Sequence, residues 1–369
     1  MKYLNSTKGI VLLEDGTVFY GRSAGLIGTS TGEICFNTGM TGYQEIYTDP
    51  SYLGQIITCT TAHIGNYGVD NDEIESDSVK VNGLICKKFS QVYSRLMADD
   101  SLQNYFEKNK IVAISDIDTR SLVRHIRNKG AMNVVISSEV FDLDKLKEIL
   151  SNTPSMEGLE LSSKVSTKSS YVLGDKSSPL KVAVLDYGTK INILRCLTDR
   201  DCFVRVFPMN TTLDEINDWG ADGIMLSNGP GDPSSMKSNI ETISTFVNSG
   251  IPIFGICLGH QLLGLSYGLK TTKMHNGHRG INHPVKNLLT SKGEITSQNH
   301  GFVVDIDSAN AHEDIEVTHI HLNDKSLAGM KHKYKPVFSV QYHPESSPGP
   351  HDSRYLFDDF VELIKKYKN

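Results

Sequence analysis

From Lys181 onward, short apolar runs alternate with amphipathic stretches at a steady spacing. The runs at 182–185, 203–207, 223–226 and from Ile251 read as buried strands. The stretches at 190–197, 213–219 and 240–248, and the one after Cys257 that closes near Gly268, read as helices. Such alternation predicts parallel strands with helices on both faces, a doubly wound α/β domain. Ligands of such sheets bind beyond the carboxyl ends of the strands. The loops expected there are Asp186-Tyr187-Gly188, the 227–233 stretch and Cys257. Beyond residue 270 the pattern becomes strand-rich. The chain finishes in an amphipathic helix with Leu356, Phe360, Leu363, Ile364 and Tyr367 as its apolar stripe.

The first 150 residues follow another rule. Residues 9–20 alternate apolar and polar around Asp15-Gly16, a hairpin signal. Short strands are expected at 33–36 and 55–59. Asp118 opens a helix with Leu122, Val123 and Ile126 on one face and Gly130 at its end. A further short helix covers 142–150. No βαβ rhythm is visible, so this part reads as a mixed α/β domain without a catalytic constellation of its own. Its role reads as a scaffold or docking surface. The serine- and lysine-rich stretch 162–179 reads as a linker. The expected organisation is a first domain over 1–150, a linker over 151–180 and an α/β domain over 181–369.

Composition narrows the function. A net charge of −6 gives no support to nucleic-acid binding. No apolar run approaches a membrane span. The start Met1-Lys2-Tyr3-Leu4-Asn5-Ser6 lacks a signal-peptide core. Cysteines stand at 35, 59, 86, 196, 202 and 257 with no C-x-x-C pair, which argues against a zinc site or disulfide framework and for a reducing cytoplasm. No G-x-x-x-x-G-K-[ST] loop is present, so ATP binding by that route is not expected.

Cys257 lies at a strand-to-helix join, flanked by Gly255 and Gly259. This is G-x-C-x-G, the thiol counterpart of the serine nucleophile elbow. A sharp turn crowds the residues two before and two after, so glycine fits there. The helix N-terminus beside the sulfur favours thiolate and offers amides to an oxyanion. A buried core cysteine is the other reading, since cysteine is often buried. His343, in Gln341-Tyr342-His343-Pro344-Glu345 after an apolar run, tips the choice. It can serve as base for Cys257, with Glu345 orienting the ring. Asn228-Gly229-Pro230-Gly231-Asp232-Pro233 is either a tight turn or a loop whose glycines let backbone approach a substrate. Gln261, one helical turn after Cys257, can face the same pocket.

Gly255-Ile256-Cys257-Leu258-Gly259-His260-Gln261 and Gln341-Tyr342-His343-Pro344-Glu345 resemble the class I (triad) glutamine amidotransferases. Residues 37–46, 48–52, 62–66, 277–280, 282–284 and 347–352 are similar to the small-subunit family of carbamoyl phosphate synthetases. That resemblance implies hydrolysis of L-glutamine to glutamate and ammonia through a glutamyl thioester on Cys257, with His343 and Glu345 completing the triad. It implies an oxyanion hole at the 228–233 loop and Leu258. It implies glutamine contacts from Ser51, Gly229, Gly231, Leu258, Gln261, Asn299, Gly301 and Phe302, and no metal at His275, His278 and His283. Asn276 stands where the family leads one to expect an aromatic residue. No cofactor is implied in this chain. ATP and Mg are expected on a separate large subunit, the partner in a heterodimer or higher assembly, which docks on the first domain. Carbamoyl phosphate then feeds pyrimidine or arginine synthesis, or both.

The elbow and His-Pro-Glu alone also suit glutaminases that serve anthranilate or guanylate synthesis. The N-terminal domain separates the two readings, because those glutaminases lack it. A non-catalytic scaffold is disfavoured by the intact Cys257, His343 and Glu345.

Overall fold

The computed structural model describes residues 7–368. The chain divides into two compact units. The first takes the residues up to Met156 together with His275–Arg279, and the second runs from Glu157 to Met274 and onward from Gly280.

The first unit opens with a hairpin, β1 (Lys8–Leu13) and β2 (Val18–Gly25), as the Asp15-Gly16 signal predicts. Gly16 takes φ 86°, and the Asp15 carboxylate accepts from the Thr17 amide. Then follow β3 (Thr29–Asn37), α1 (Tyr43–Thr48), β4 (Gln55–Cys59), β5 (Gly83–Ile85), α2 (Leu102–Lys108) and β6 (Val112–Ser115). The last elements are α3 (Thr119–Lys129), capped by Asp118 and ended by Gly130, then β7 (Asn133–Ser137) and α4 (Leu143–Ser151).

The strands close into a barrel in the order β1-β2-β6-β5-β4-β3-β7. Closure lies in β1 pairing with β7, Leu12 opposite Val135. Alternation sends the apolar positions to opposite sides of the strands, where they join three clusters. Val11, Ile34, Ile56, Ile85, Ile114 and Ile136 pack with Leu122 and Ile126 of α3. Ile10, Leu12 and Val135 pack with Leu146 and Leu150 of α4. One expectation fails here. β3, β4, β5 and β6 run parallel, and β5–α2–β6 is a βαβ unit. A three-residue β5 is too short to show a pattern, and a long irregular stretch separates it from α2.

The second unit begins before the expected domain boundary. The serine-rich stretch is not a free linker: β8 (Tyr171–Leu173) within it pairs antiparallel with β10 as a sheet edge. Its apolar Tyr-Val-Leu triplet explains the pairing. Next come β9 (Leu180–Asp186), α5 (Ile191–Thr198), β10 (Cys202–Pro208), α6 (Leu213–Trp219), β11 (Gly223–Leu226), α7 (Lys237–Asn248), β12 (Ile253–Ile256) and α8 (Leu258–Ser266). The strand-rich part holds β13 (Thr271–Asn287), β14 (Gly293–Val304), α9 (Ile306–Ala311), β15 (Ile315–His321), β16 (Leu327–His332) and β17 (Val337–Val340), and α10 (Tyr355–Tyr367) ends it.

These strands form a ten-stranded sheet, β14-β13-β15-β16-β17-β12-β11-β9-β10-β8. From β10 to β17 the neighbours are parallel. Val182 and Val184 face a layer that contains α5 and α10, while Ala183 and Leu185 face α6, α7 and α8. Both faces are therefore covered, the expected doubly wound arrangement. The stripe of α10 needs correction. Leu356, Phe360 and Ile364 are buried as expected, but Leu363 is half-buried and Tyr367 exposed, and Phe357 and Val361 are buried instead.

Candidate active site

β12 ends at Ile256, and the chain turns at once into α8 through Cys257, with φ 53° and ψ −100°. A cysteine at positive φ is strained, so packing must hold it there. The Cys257 amide donates to Val340 O of β17 at 2.9 Å, and the Gly259 amide donates to Ser227 O at 3.0 Å. The two glycines are required by space. A Cβ on Gly259 would lie 2.3 Å from Leu226 O, and one on Gly255 would lie 2.7 Å from Leu263 Cδ1. The crowding two residues either side of Cys257 is thus physical.

His343, the expected base, comes from the next parallel strand. β17 ends at Val340, and the His343 amide donates to Ser297 O at 2.9 Å. His343 Nδ1 lies 2.7 Å from Glu345 Oε1, and both residues are buried. Beside Glu345, the ring also interacts with the Cys257 side chain. Burial opposes a charge on this ring. The Glu345 carboxylate and Cys257 outweigh it and raise the His343 pKa to about 10. Burial also opposes the Glu345 charge, but Lys190 and His343 hold that carboxyl down, to about 2.

Lys190 is the residue that sequence reasoning missed. Its Nζ lies 3.0 Å from Glu345 Oε1 and 2.6 Å from Ser346 O, and its side chain is 4 % exposed. It stands at the N-cap of α5, where a cation meets the positive end of the helix dipole. That misplaced charge was the available signal.

Two other histidines near the elbow are unsuited as base. His260 donates or accepts at Ser339 Oγ, 2.8 Å away, and burial lowers its pKa to about 3. His300 has Nδ1 on Phe302 O and Nε2 on Gln298 Oε1.

Several expected glutamine-binding residues gather around the sulfur. The Cys257 thiol donates to Asn299 O at 3.5 Å. Gln261 donates to Phe302 O at 2.8 Å and to Gln341 Oε1 at 3.1 Å, so both of its amide hydrogens are engaged. Only Gln261 Oε1 remains to meet a substrate, as an acceptor. Gly301 lies between Asn299 and Phe302 on β14.

Gly229 and Gly231 hold the loop after β11. A Cβ on Gly229 would lie 2.2 Å from Tyr187 O and 2.8 Å from Leu258 Cδ2. Gly231 has φ 96°, and a Cβ there would meet Leu159 O at 2.7 Å. The residues from Glu157 brace this loop. Asp232 N donates to Leu159 O at 2.9 Å, and Gly158 N donates to Asp232 Oδ2 at 2.8 Å. Ser51 lies in the first unit, in a buried 3-10 turn (Pro50–Tyr52) capped by Asp49. The geometry of the second unit does not bear on it.

Fold and site together define the second unit as a class I glutamine amidotransferase domain. The family described as Glutamine amidotransferase class-I matches residues 183–363. The family described as Carbamoyl-phosphate synthase small chain, CPSase domain, matches residues 11–136. A carbamoyl phosphate synthase small chain of Synechococcus sp. is 47 % identical, over 96 % of this chain and 93 % of its own. The protein of the same name from Chlorobaculum tepidum is 47 % identical over 98 % of both chains. Among solved structures, a glutamine amidotransferase of Thermotoga maritima aligns with TM-score 0.37 and 17 % identity, over 52 % of this chain and 86 % of its own. This chain belongs to the carbamoyl phosphate synthase small chain family. Among the described residues, no helix is long and apolar enough to cross a membrane.

Proposed function

We propose that this chain is the glutamine-hydrolysing subunit of a carbamoyl phosphate synthase and works through a glutamyl thioester on Cys257. Family membership over nearly the whole chain supports the subunit role. The observation that carries the chemistry is His343, with Nδ1 on Glu345 and Cys257 close enough to the ring to raise its pKa.

The Cys257 thiolate attacks the side-chain carbonyl carbon of L-glutamine, and the carbonyl electrons move to oxygen. Amides of Leu258 and Gly231 receive that oxyanion. His343 gives its proton to the leaving nitrogen, the C–N bond breaks, and ammonia departs. Water then attacks the thioester while His343 takes its proton. The C–S bond breaks, the electron pair returns to sulfur, and glutamate leaves. Glu345 holds the ring, and Lys190 keeps Glu345 ionised. Gly229, Gly231, Gln261, Asn299, Gly301 and Phe302 position the substrate.

Ammonia passes to a large partner chain, which makes carbamoyl phosphate from bicarbonate. The ATP and Mg of that step are assigned to the partner, in a heterodimer or a higher assembly. The first unit is assigned the docking surface, the cytoplasm is the compartment, and pyrimidine or arginine synthesis is the destination. The test is Cys257→Ser in the assembled enzyme. Glutamine-dependent synthesis is expected to vanish and synthesis from added ammonia to persist; loss of both at normal assembly contradicts the division of labour.

A further inference from the structure

Gln341 stands two residues before the base and has no part in the triad. It is buried, and its side chain bridges the elbow helix and the sulfur. Gln341 Nε2 donates to Cys257 Sγ at 3.7 Å, while its Oε1 accepts from Gln261 Nε2 at 3.1 Å.

The two ends of a glutamine amide are distinguished only by their partners. Here the partners fix them. Phe302 O, a backbone carbonyl, can only accept, so the Gln261 atom 2.8 Å from it is nitrogen. That same nitrogen faces Gln341, so the Gln341 atom it meets is oxygen. The other end of Gln341, turned to Cys257, is then the N–H donor. The Asn299 carbonyl, by contrast, accepts from the thiol and can offer a thiolate nothing.

We propose that Gln341 is a catalytic residue whose amide N–H holds the negative charge on Cys257 sulfur at both points where it exists. The first is the free thiolate before attack. The second is the thiolate expelled when the tetrahedral adduct of water and thioester collapses, with the C–S pair returning to sulfur. In the thioester itself the sulfur is neutral and the hydrogen bond is weak. Gln341 therefore favours expulsion, and with it deacylation. The same side chain ties the sulfur to Gln261, so a substrate held by Gln261 Oε1 and the nucleophile share one amide chain. This inference rests on the reading of Cys257 as the acylated nucleophile.

The test uses the assembled enzyme with Gln341→Leu, which removes the donor, and Gln341→Glu. The second keeps shape and acceptance from Gln261 but turns a carboxylate toward the sulfur, so it also covers failure of the first to fold. Two quantities are read: the pH dependence of Cys257 alkylation by iodoacetamide, and the glutamyl adduct on Cys257 at steady state by intact-mass spectrometry after acid quench. Loss of a hydrogen bond to a charged acceptor corresponds to about tenfold to a hundredfold. The expected results are an alkylation midpoint moved to higher pH, more so for Gln341→Glu, and deacylation slowed by that factor with more adduct. Unchanged midpoints and adduct levels in both variants, with only KM raised, overturn the proposal and leave Gln341 as a support for Gln261. Absence of adduct in the unsubstituted enzyme overturns the thioester reading itself, a distinguishable failure.

Discussion

Lys190 Nζ meets, at 3.0 Å, the same Glu345 oxygen that His343 Nδ1 meets at 2.7 Å. A buried carboxylate is thus shared between a fixed cation and the His343 ring. Breaking a buried charge pair from one side costs about 3–5 kcal/mol. Lys190→Met is expected to destabilise the fold and let the Glu345 carboxyl rise from its depressed position. Activity is then lost on acidification at a higher pH than in the unsubstituted enzyme. Glu345→Gln strands Lys190 in turn, and is expected to lower stability more than its turnover loss alone implies, yet to spare more turnover than Cys257→Ser. A pH profile of kcat/KM together with thermal melts checks both variants.

That pairing shows where sequence reasoning stops. The Cys257 turn and the His343–Glu345 pair lie in short runs whose glycines and spacing express local sterics, and their geometry was legible. So was the alternation of β9 to α8, because burial on both faces leaves continuous apolar strands. Lys190 lies 155 residues from Glu345, and nothing local joins them. Barrel closure by β1 with β7 is likewise non-local. The 162–179 stretch reads as a linker by composition, yet backbone pairing ties β8 within it to β10, and composition does not reveal such pairing.

The pH dependence of stability carries a second prediction. His343 has its folded pKa raised from 6.5 to about 10. A raised pKa contributes stability that is complete below 6.5 and is lost as pH rises through about 10. Glu345, lowered from 4.5 to about 2, contributes stability that is present above 4.5 and lost as pH falls through about 2. His343→Asn is expected to flatten the alkaline decline of Tm over that window. Its glutaminase turnover falls by about 10²–10⁴-fold, because both proton transfers run through the ring. Parallel alkaline declines in the two proteins would contradict the assignment.

Gly259→Ala places a methyl against the backbone oxygen of Leu226, which no side-chain rotation relieves. Overpacking of this kind costs about 1–3 kcal/mol. Gly268→Ala has open space around its Cβ but φ 79°, so it pays backbone strain alone and serves as the comparison. Denaturant titration is expected to rank Gly259→Ala as the more damaging of the two.

Gly231→Ala combines φ 96° with a 2.7 Å approach to Leu159 O. The loop must shift to admit the methyl, and it moves the amide assigned to the oxyanion. Glutaminase kcat is expected to fall by about 10²–10³-fold, the size of one lost oxyanion donor. Ammonia-dependent synthesis is expected to continue. Full retention of kcat would remove Gly231 from the oxyanion hole.

The most direct test of the central claim is acid quench of the assembled enzyme during glutamine turnover, followed by peptide mapping by mass spectrometry. The account predicts a glutamyl group on the peptide that contains Cys257, absent in Cys257→Ser and accumulated in His343→Asn wherever that variant still acylates. A glutamyl group on another residue, or glutamine hydrolysis at the native rate by Cys257→Ser, would contradict it.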